Sequence, residues 1–267
     1  MLENIQTKGI NLWVSVIITI TYAVTKLLIA AILLLIFDCT LKYNLPVEIG
    51  EMFSVLIFLI IIILFIKKNC FKKTIEEKHP LLSIDLLFIT VILTICFRVF
   101  SDPTYRFSEI IHGLYSEEVY SNPEISFDLL IYAIRIIFLQ SLFEELLFRK
   151  ILFQQLLIRY SNLLTAILIS SILFALTHLG FDSLLPNFLF GCFAAYIFYL
   201  SRSIIYPILF HIISNGIWLY IHLNTEKYRE ILAYLNFSTL YWVIILLSVL
   251  LAIFCFIYLK RRDSSLE

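Results

Sequence analysis

Runs of close to 20 almost wholly apolar residues recur eight times along this chain, at 12–37, 49–66, 81–100, 126–148, 163–180, 184–200, 204–222 and 239–259. About 20 apolar residues in a helix span the hydrocarbon core of a bilayer. A backbone in that core must satisfy its own N–H and C=O groups, so each run is expected to be a helix. With 61% of the residues hydrophobic and 15% charged, against roughly 25% charged in soluble domains, a soluble globular protein is excluded. The expected fold class is all-α, a polytopic membrane helix bundle of about eight transmembrane helices. The first run is too long for the apolar stretch of a cleaved signal peptide and is expected to remain as an anchor.

Twenty Lys plus Arg balance twenty Asp plus Glu, so no basic field points to nucleic acid. The basic residues are nonetheless distributed unevenly. With the N-terminus inside, Lys8, the 67–78 loop, Arg149, Lys150, Arg159, Arg202 and Lys260 to Arg262 fall on or near the cytoplasmic side, against Lys42, Arg106, Lys227 and Arg229 outside. Cytoplasmic loops are the ones enriched in Lys and Arg, so both termini are expected to be cytoplasmic. Segment 101–125 is acidic, and a short surface helix at 107–120 is expected within it. The chain reads as N-terminal helices with an outer loop (1–125), a helical core that carries the polar residues (126–222), and a last membrane helix with a basic tail (239–267). Cys39, Cys70, Cys96, Cys192 and Cys255 form no C-x-x-C pair and are read as small apolar residues. Gly191 and Ala195 have the spacing that lets helices approach closely. His79, His112 and His222 lie in or near loops and are read as solvated.

Ionisable groups inside a membrane span are costly, and each one is a functional hypothesis. Here they cluster in three apolar helices, as Glu144, Glu145 and Arg149, then His178, then His211 with Asn215. Residues four apart share a helix face, whereas neighbours point about 100° apart. Glu145 and Arg149 are therefore expected to form a buried ion pair, with Glu144 aimed elsewhere. The same spacing sets Phe174 beside His178 and His211 beside Asn215.

Depth gives a second constraint. If the fourth helix stopped at Phe148, Glu144 and His178 would lie near opposite faces and never meet. If it runs on and turns at Tyr160-Ser161-Asn162, both lie roughly 24 to 26 Å from that turn at 1.5 Å per residue. They then come level across an antiparallel hairpin, whose extension carries Gln154, Gln155 and Arg159 as wetter positions. Lys26 and Arg98 are expected to snorkel or pair, and Arg135 to project from a different side of the fourth helix than Glu144, so that none enters the site.

These residues resemble the three motifs of the type II CAAX prenyl endopeptidase and bacteriocin-immunity (CPBP, Abi-like) family of intramembrane proteases. E-E-x-x-x-R is matched by Glu144, Glu145 and Arg149, F-x-x-x-H by Phe174 and His178, and H-x-x-x-N by His211 and Asn215. The likeness covers about 126–222, and Lys150 stands where members often have Gly. The resemblance implies an intramembrane endopeptidase in a bacterial cell membrane, acting on a membrane protein or peptide. The expected catalytic set is Glu144, His178, His211 and Asn215, supported by Glu145, Arg149 and Phe174. In one mechanism Glu144, supported by His178, deprotonates a water while His211 and Asn215 donate to the oxyanion. In the other, Glu144, His178 and His211 hold a Zn²⁺ that acidifies the water. The metal-free form is preferred, because no H-E-x-x-H is present. A rival, non-enzymatic reading uses the same polar cavity for bacteriocin immunity or peptide binding, and a channel is disfavoured because the polar residues sit at one level.

Overall fold

The computed structural model describes residues 9–37, 45–67, 83–106, 127–178 and 181–264, which are helical and contain no strand. The order is α1 (Leu12–Phe37), α2 (Leu45–Lys67), α3 (Ile84–Tyr105), α4 (127–160), α5 (Leu163–Leu176), α6 (Phe181–Ser201), α7 (Ile205–Leu223), α8 (Thr225–Leu235) and α9 (Thr239–Ser264). The helix expected at 107–120, together with His79, His112, Cys39 and Cys70, lies outside the described residues.

Five of these helices, α1, α2, α3, α6 and α9, are long and apolar enough to cross a membrane. The described residues thus supply five candidate spans, and the further three apolar runs do not meet the same length and composition. The other three runs are also helical, with α4 divided by irregular turns and α5 apolar but short. Helix α5 has 14 residues and closes at Thr177, whose hydroxyl donates to the Phe174 carbonyl at 2.7 Å. Helix α7 carries His211, Ser214 and Asn215 within its 19 residues. Helix α8 was not expected at all. It is amphipathic rather than apolar, with Leu232 buried beneath it, and Tyr228 one turn earlier donates to Asp102 Oδ1 at 2.6 Å. Burial and the Asp102 carboxylate push the Tyr228 phenol up, so it stays a donor.

Helix α4 runs on past Phe148 to Tyr160, as the depth argument requires. It is not uniform. Two π-helical stretches, Arg135–Gln140 and Leu146–Phe153, alternate with α-helical Phe127–Ile134, Ser141–Glu145 and Gln154–Tyr160. Ser161 then turns the chain in the left-handed region (φ 49°), and the Asn162 side chain caps α5 by accepting from the Thr165 N–H at 3.0 Å. Arg135 projects away from Glu144 and pairs with Glu48 and Glu51 of α2, both at 2.8 Å.

Gln154 and Gln155 are buried, not wetter positions, while Arg159 is exposed. The reason is the segment before α1. Gly9, at φ 70°, lies so close to α4 that a Cβ there would sit 2.4 Å from the Gln155 carbonyl oxygen, and Ile10 beside it is buried. His222 is stacked on Trp218 at 5.3 Å with ring planes 7° apart, so it is not simply solvated.

The core is rich in aromatic rings. Phe97 on α3 meets Phe190 and Phe193 of α6 and Phe210 of α7 at 5.5 to 5.6 Å between centroids. Helices α5 and α6 approach closely where Gly191 faces Ser171. A Cβ at Gly191 would fall 2.8 Å from Ser171 Cβ and 2.9 Å from its Cα, so the helices must separate to admit it. Gly191→Ala is expected to destabilise the protein by roughly 1–3 kcal/mol through overpacking, seen as a lowered unfolding temperature in detergent.

Candidate active site

Helix α4 presents Glu144 and Glu145 side by side, and the two carboxylates meet different surroundings. Both are buried, at 1% and 0% exposure, as is Arg149 at 1%. Glu145 faces two cations or potential cations. Its Oε2 lies 3.1 Å from Arg149 Nε, and its Oε1 lies 2.8 Å from His211 Nδ1. The expected Glu145–Arg149 pair is present, and it extends to His211, which was not foreseen. The Arg149 guanidinium rests on the Phe174 ring, 4.5 Å from its centroid. Phe174 also packs against His178 at 4.7 Å. Phe190, which has no motif to mark it, packs against His211 at 4.7 Å.

Glu144 points the other way. Its Oε1 accepts from Gln140 Nε2 at 2.8 Å and from the Tyr22 hydroxyl of α1 at 3.3 Å. Its Oε2 is buried and receives no hydrogen bond from the described residues. That oxygen lies 3.8 Å from His178 Nε2 and 3.9 Å from His211 Nε2. Those separations are too long for direct hydrogen bonds. They leave room for one bridging atom between a carboxylate and two imidazoles.

The other ring nitrogens fix the tautomers. His178 Nδ1 lies 3.1 Å from the Phe174 carbonyl, which only accepts, and His211 Nδ1 lies against Glu145. Each Nδ1 therefore carries the proton. Each Nε2 is then an acceptor while the ring is neutral and a donor once it is protonated.

Asn215 does not donate beside His211. Its Nδ2 donates to the Ile136 carbonyl at 2.9 Å and to Ser141 Oγ at 3.0 Å. The cause is the first π stretch of α4, where the widened ladder leaves the Ile136 carbonyl able to accept from a side chain. Asn215 still lines the cavity and locks α7 to α4.

The cavity holds about 240 Å³ and is lined by Glu144, His178 and His211 together with Tyr132, Gln140, Asn187 and Arg98. Arg98 was expected to lie outside the cluster but reaches it from α3. A second opening, lined by His178, Lys26 and Glu51, brings Lys26 of α1 to the same rim. No local spacing links Tyr22, Lys26 or Arg98 to the motifs; only the packing of α1 and α3 on α4 and α7 does so.

Residues 126–217 match the family model of the type II CAAX prenyl endopeptidase Rce1-like domain. This segment is similar to the domain of that family. No curated protein and no solved structure matches the chain. The matched segment contains every motif residue, while Tyr22, Lys26 and Arg98 come from helices that precede it.

Tetrahedral zinc with N and O ligands at about 2.0–2.2 Å holds its donor atoms about 3.3–3.6 Å apart, closer than Glu144 Oε2 is to either Nε2. Among the described residues no three His, Cys, Asp or Glu side chains meet the geometry of a metal site.

Glu145→Gln removes a buried anion from between Arg149 and His211. Breaking such a pair from one side typically costs about 3–5 kcal/mol. The variant is expected to unfold at a clearly lower temperature than wild type in a detergent thermal shift, whereas Glu144→Gln stays close to wild type.

Proposed function

We propose that this protein is an intramembrane endopeptidase that hydrolyses a peptide bond of a membrane-associated protein or peptide with a water activated by Glu144. The observation that carries this reading is the bare Oε2 of Glu144, buried between two imidazole nitrogens at 3.8 and 3.9 Å. A water seated there gives one proton to Oε2 and directs the other at His178 Nε2. Gln140 and Tyr22 hold Oε1, so the carboxylate cannot rotate away from the water.

Proton placement divides the roles of the histidines. With its Nδ1–H held by Glu145, His211 can donate from Nε2 only as the imidazolium. His211 as imidazolium donates from Nε2 to the oxygen of the attacked carbonyl, where one such donor is worth about 10²- to 10³-fold in rate. His178 stays neutral and orients the water. Glu144 takes the water's proton as the new C–O bond forms, then passes it to the leaving nitrogen as the C–N bond breaks. Asn215 acts through position: it fixes α7 against α4 and so sets where His211 points. In this reading both termini face the cytoplasm, and no metal takes part.

The test compares cells that make the wild-type protein with cells that make Glu144→Gln, by mapping new N-termini in the membrane proteome. Cleavages present only with wild type are expected, with the variant equally abundant and equally stable. The same cleavages in both strains, or a biological effect that survives Glu144→Gln, would overturn the reading in favour of peptide binding or immunity. Purified wild-type protein is expected to keep full activity in EDTA and 1,10-phenanthroline. Loss on chelation with recovery on adding zinc would overturn the metal-free mechanism.

A further inference from the structure

Four arginines lie largely within the helix bundle, and three of them have a carboxylate close by. Arg106 stands 3.7 Å from Asp102, Arg135 stands 2.8 Å from Glu48 and Glu51, and Arg149 stands 3.1 Å from Glu145. Arg98 differs. Its Nε lies 3.2 Å from the Ser214 carbonyl and its guanidinium hydrogen-bonds the Tyr105 phenol, both neutral partners. Among the described residues no Asp or Glu forms an ion pair with it. Asp102, one turn further along α3, is occupied by the hydroxyls of Tyr228 at 2.6 Å and Tyr241 at 2.7 Å. An unpaired guanidinium inside a membrane protein is costly, and such charges usually face a cavity that serves a ligand.

The position of Arg98 says which ligand. It lines the 240 Å³ cavity that contains Glu144, His178 and His211. It also lines an adjoining cavity of about 280 Å³ together with Tyr105, Trp218, Tyr228 and Leu232. The carbonyl that anchors it belongs to Ser214, one turn of α7 from His211, so the cation sits about one helical turn from the reacting centre. A planar guanidinium fits a carboxylate with two parallel hydrogen bonds.

We infer that Arg98 is a specificity residue that binds a carboxylate of the substrate in the cavity adjoining Glu144. The inference rests on the endopeptidase reading, because the anion it binds belongs to the peptide being cut. Peptides offer two sources of that group, the C-terminal carboxylate and an Asp or Glu side chain.

The experiment uses a synthetic hexapeptide pool, made once as free acids and once as carboxamides, equilibrated with full-length Glu144→Gln protein in detergent and quantified by mass spectrometry. Free acids are expected to be retained roughly 10- to 100-fold better than the matching amides, the range for a hydrogen bond between charged groups. Arg98→Gln added to Glu144→Gln is expected to abolish that preference. Amides retained only when they contain Asp or Glu, again through Arg98, would also support the carboxylate site and assign its source to a side chain. Equal retention of acids and neutral amides, no retention of either, or a preference that survives Arg98→Gln would overturn the inference. If Arg98→Gln does not elute as a single species, Arg98→Lys decides. A several-fold loss of preference is expected because the two-pronged contact is gone, and an unchanged preference would overturn the inference.

The outcome for Arg98 separates from that for proteolysis. Selective binding of acids without any cleavage by wild type leaves the carboxylate site standing and removes the endopeptidase reading. Glu144-dependent cleavage of acids and amides at equal rates does the reverse.

Discussion

The polar centre of this protein depends on one buried carboxylate, Glu145. An anion withdrawn from water inside a helix bundle persists only if its oxygens are matched by positive charge and hydrogen bonds. Glu145 is matched within its own helix by Arg149, at 3.1 Å, and across the bundle by His211 of α7, at 2.8 Å. Arg149 in turn lies on Phe174 of α5, which packs against His178. One charge thus positions groups on three helices. Glu144 is the next residue, and the angle of about 100° between neighbours on a helix turns it to the other side of that arrangement. Two adjacent carboxylates of identical type therefore have different uses, one holding the frame and the other left with a bare oxygen.

The π stretches of α4 belong to the same logic. In a regular α-helical ladder each carbonyl already accepts from the N–H four residues on. The widened turn at Arg135–Gln140 leaves the Ile136 carbonyl available, and Asn215 and Ser141 both hydrogen-bond to it. The irregularity becomes a docking point between α4 and α7, placed just before the two glutamates. π turns of this kind are often found at functional sites.

Much of this site is legible in the sequence. The spacing of Glu145 and Arg149 gives their pair, and counting residues from Tyr160-Ser161-Asn162 brings Glu144 level with His178. Both inferences use only the geometry of a helix and of a helical hairpin. What could not be read is whatever depends on packing between distant segments. Nothing local marks the π turns, because their dihedral angles differ little from those of an α-helix and the apolar pattern runs straight through them. The reassignment of the Asn215 amide follows from those turns and was hidden with them. Tyr22, Gln140 and Arg98 look like ordinary polar residues in apolar helices until α1, α3 and α4 are assembled. Helix α8 escaped notice because its pattern is amphipathic and short. The five helices that qualify as spans fall below the eight apolar runs because π turns divide α4, α5 is only 14 residues long and α7 carries polar side chains.

Tyr22 reaches Glu144 across 122 positions of sequence. The groups proposed to make and break bonds lie in one stretch of about ninety residues, whereas Tyr22, Lys26 and Arg98 on the rim come from α1 and α3, encoded well before it. The reacting floor of the pocket and its rim are thus written in separate parts of the gene. Mutation is free to reshape what the rim admits while the floor is held constant, so proteins sharing this floor are expected to diverge first in what they accept and only later in what they do to it.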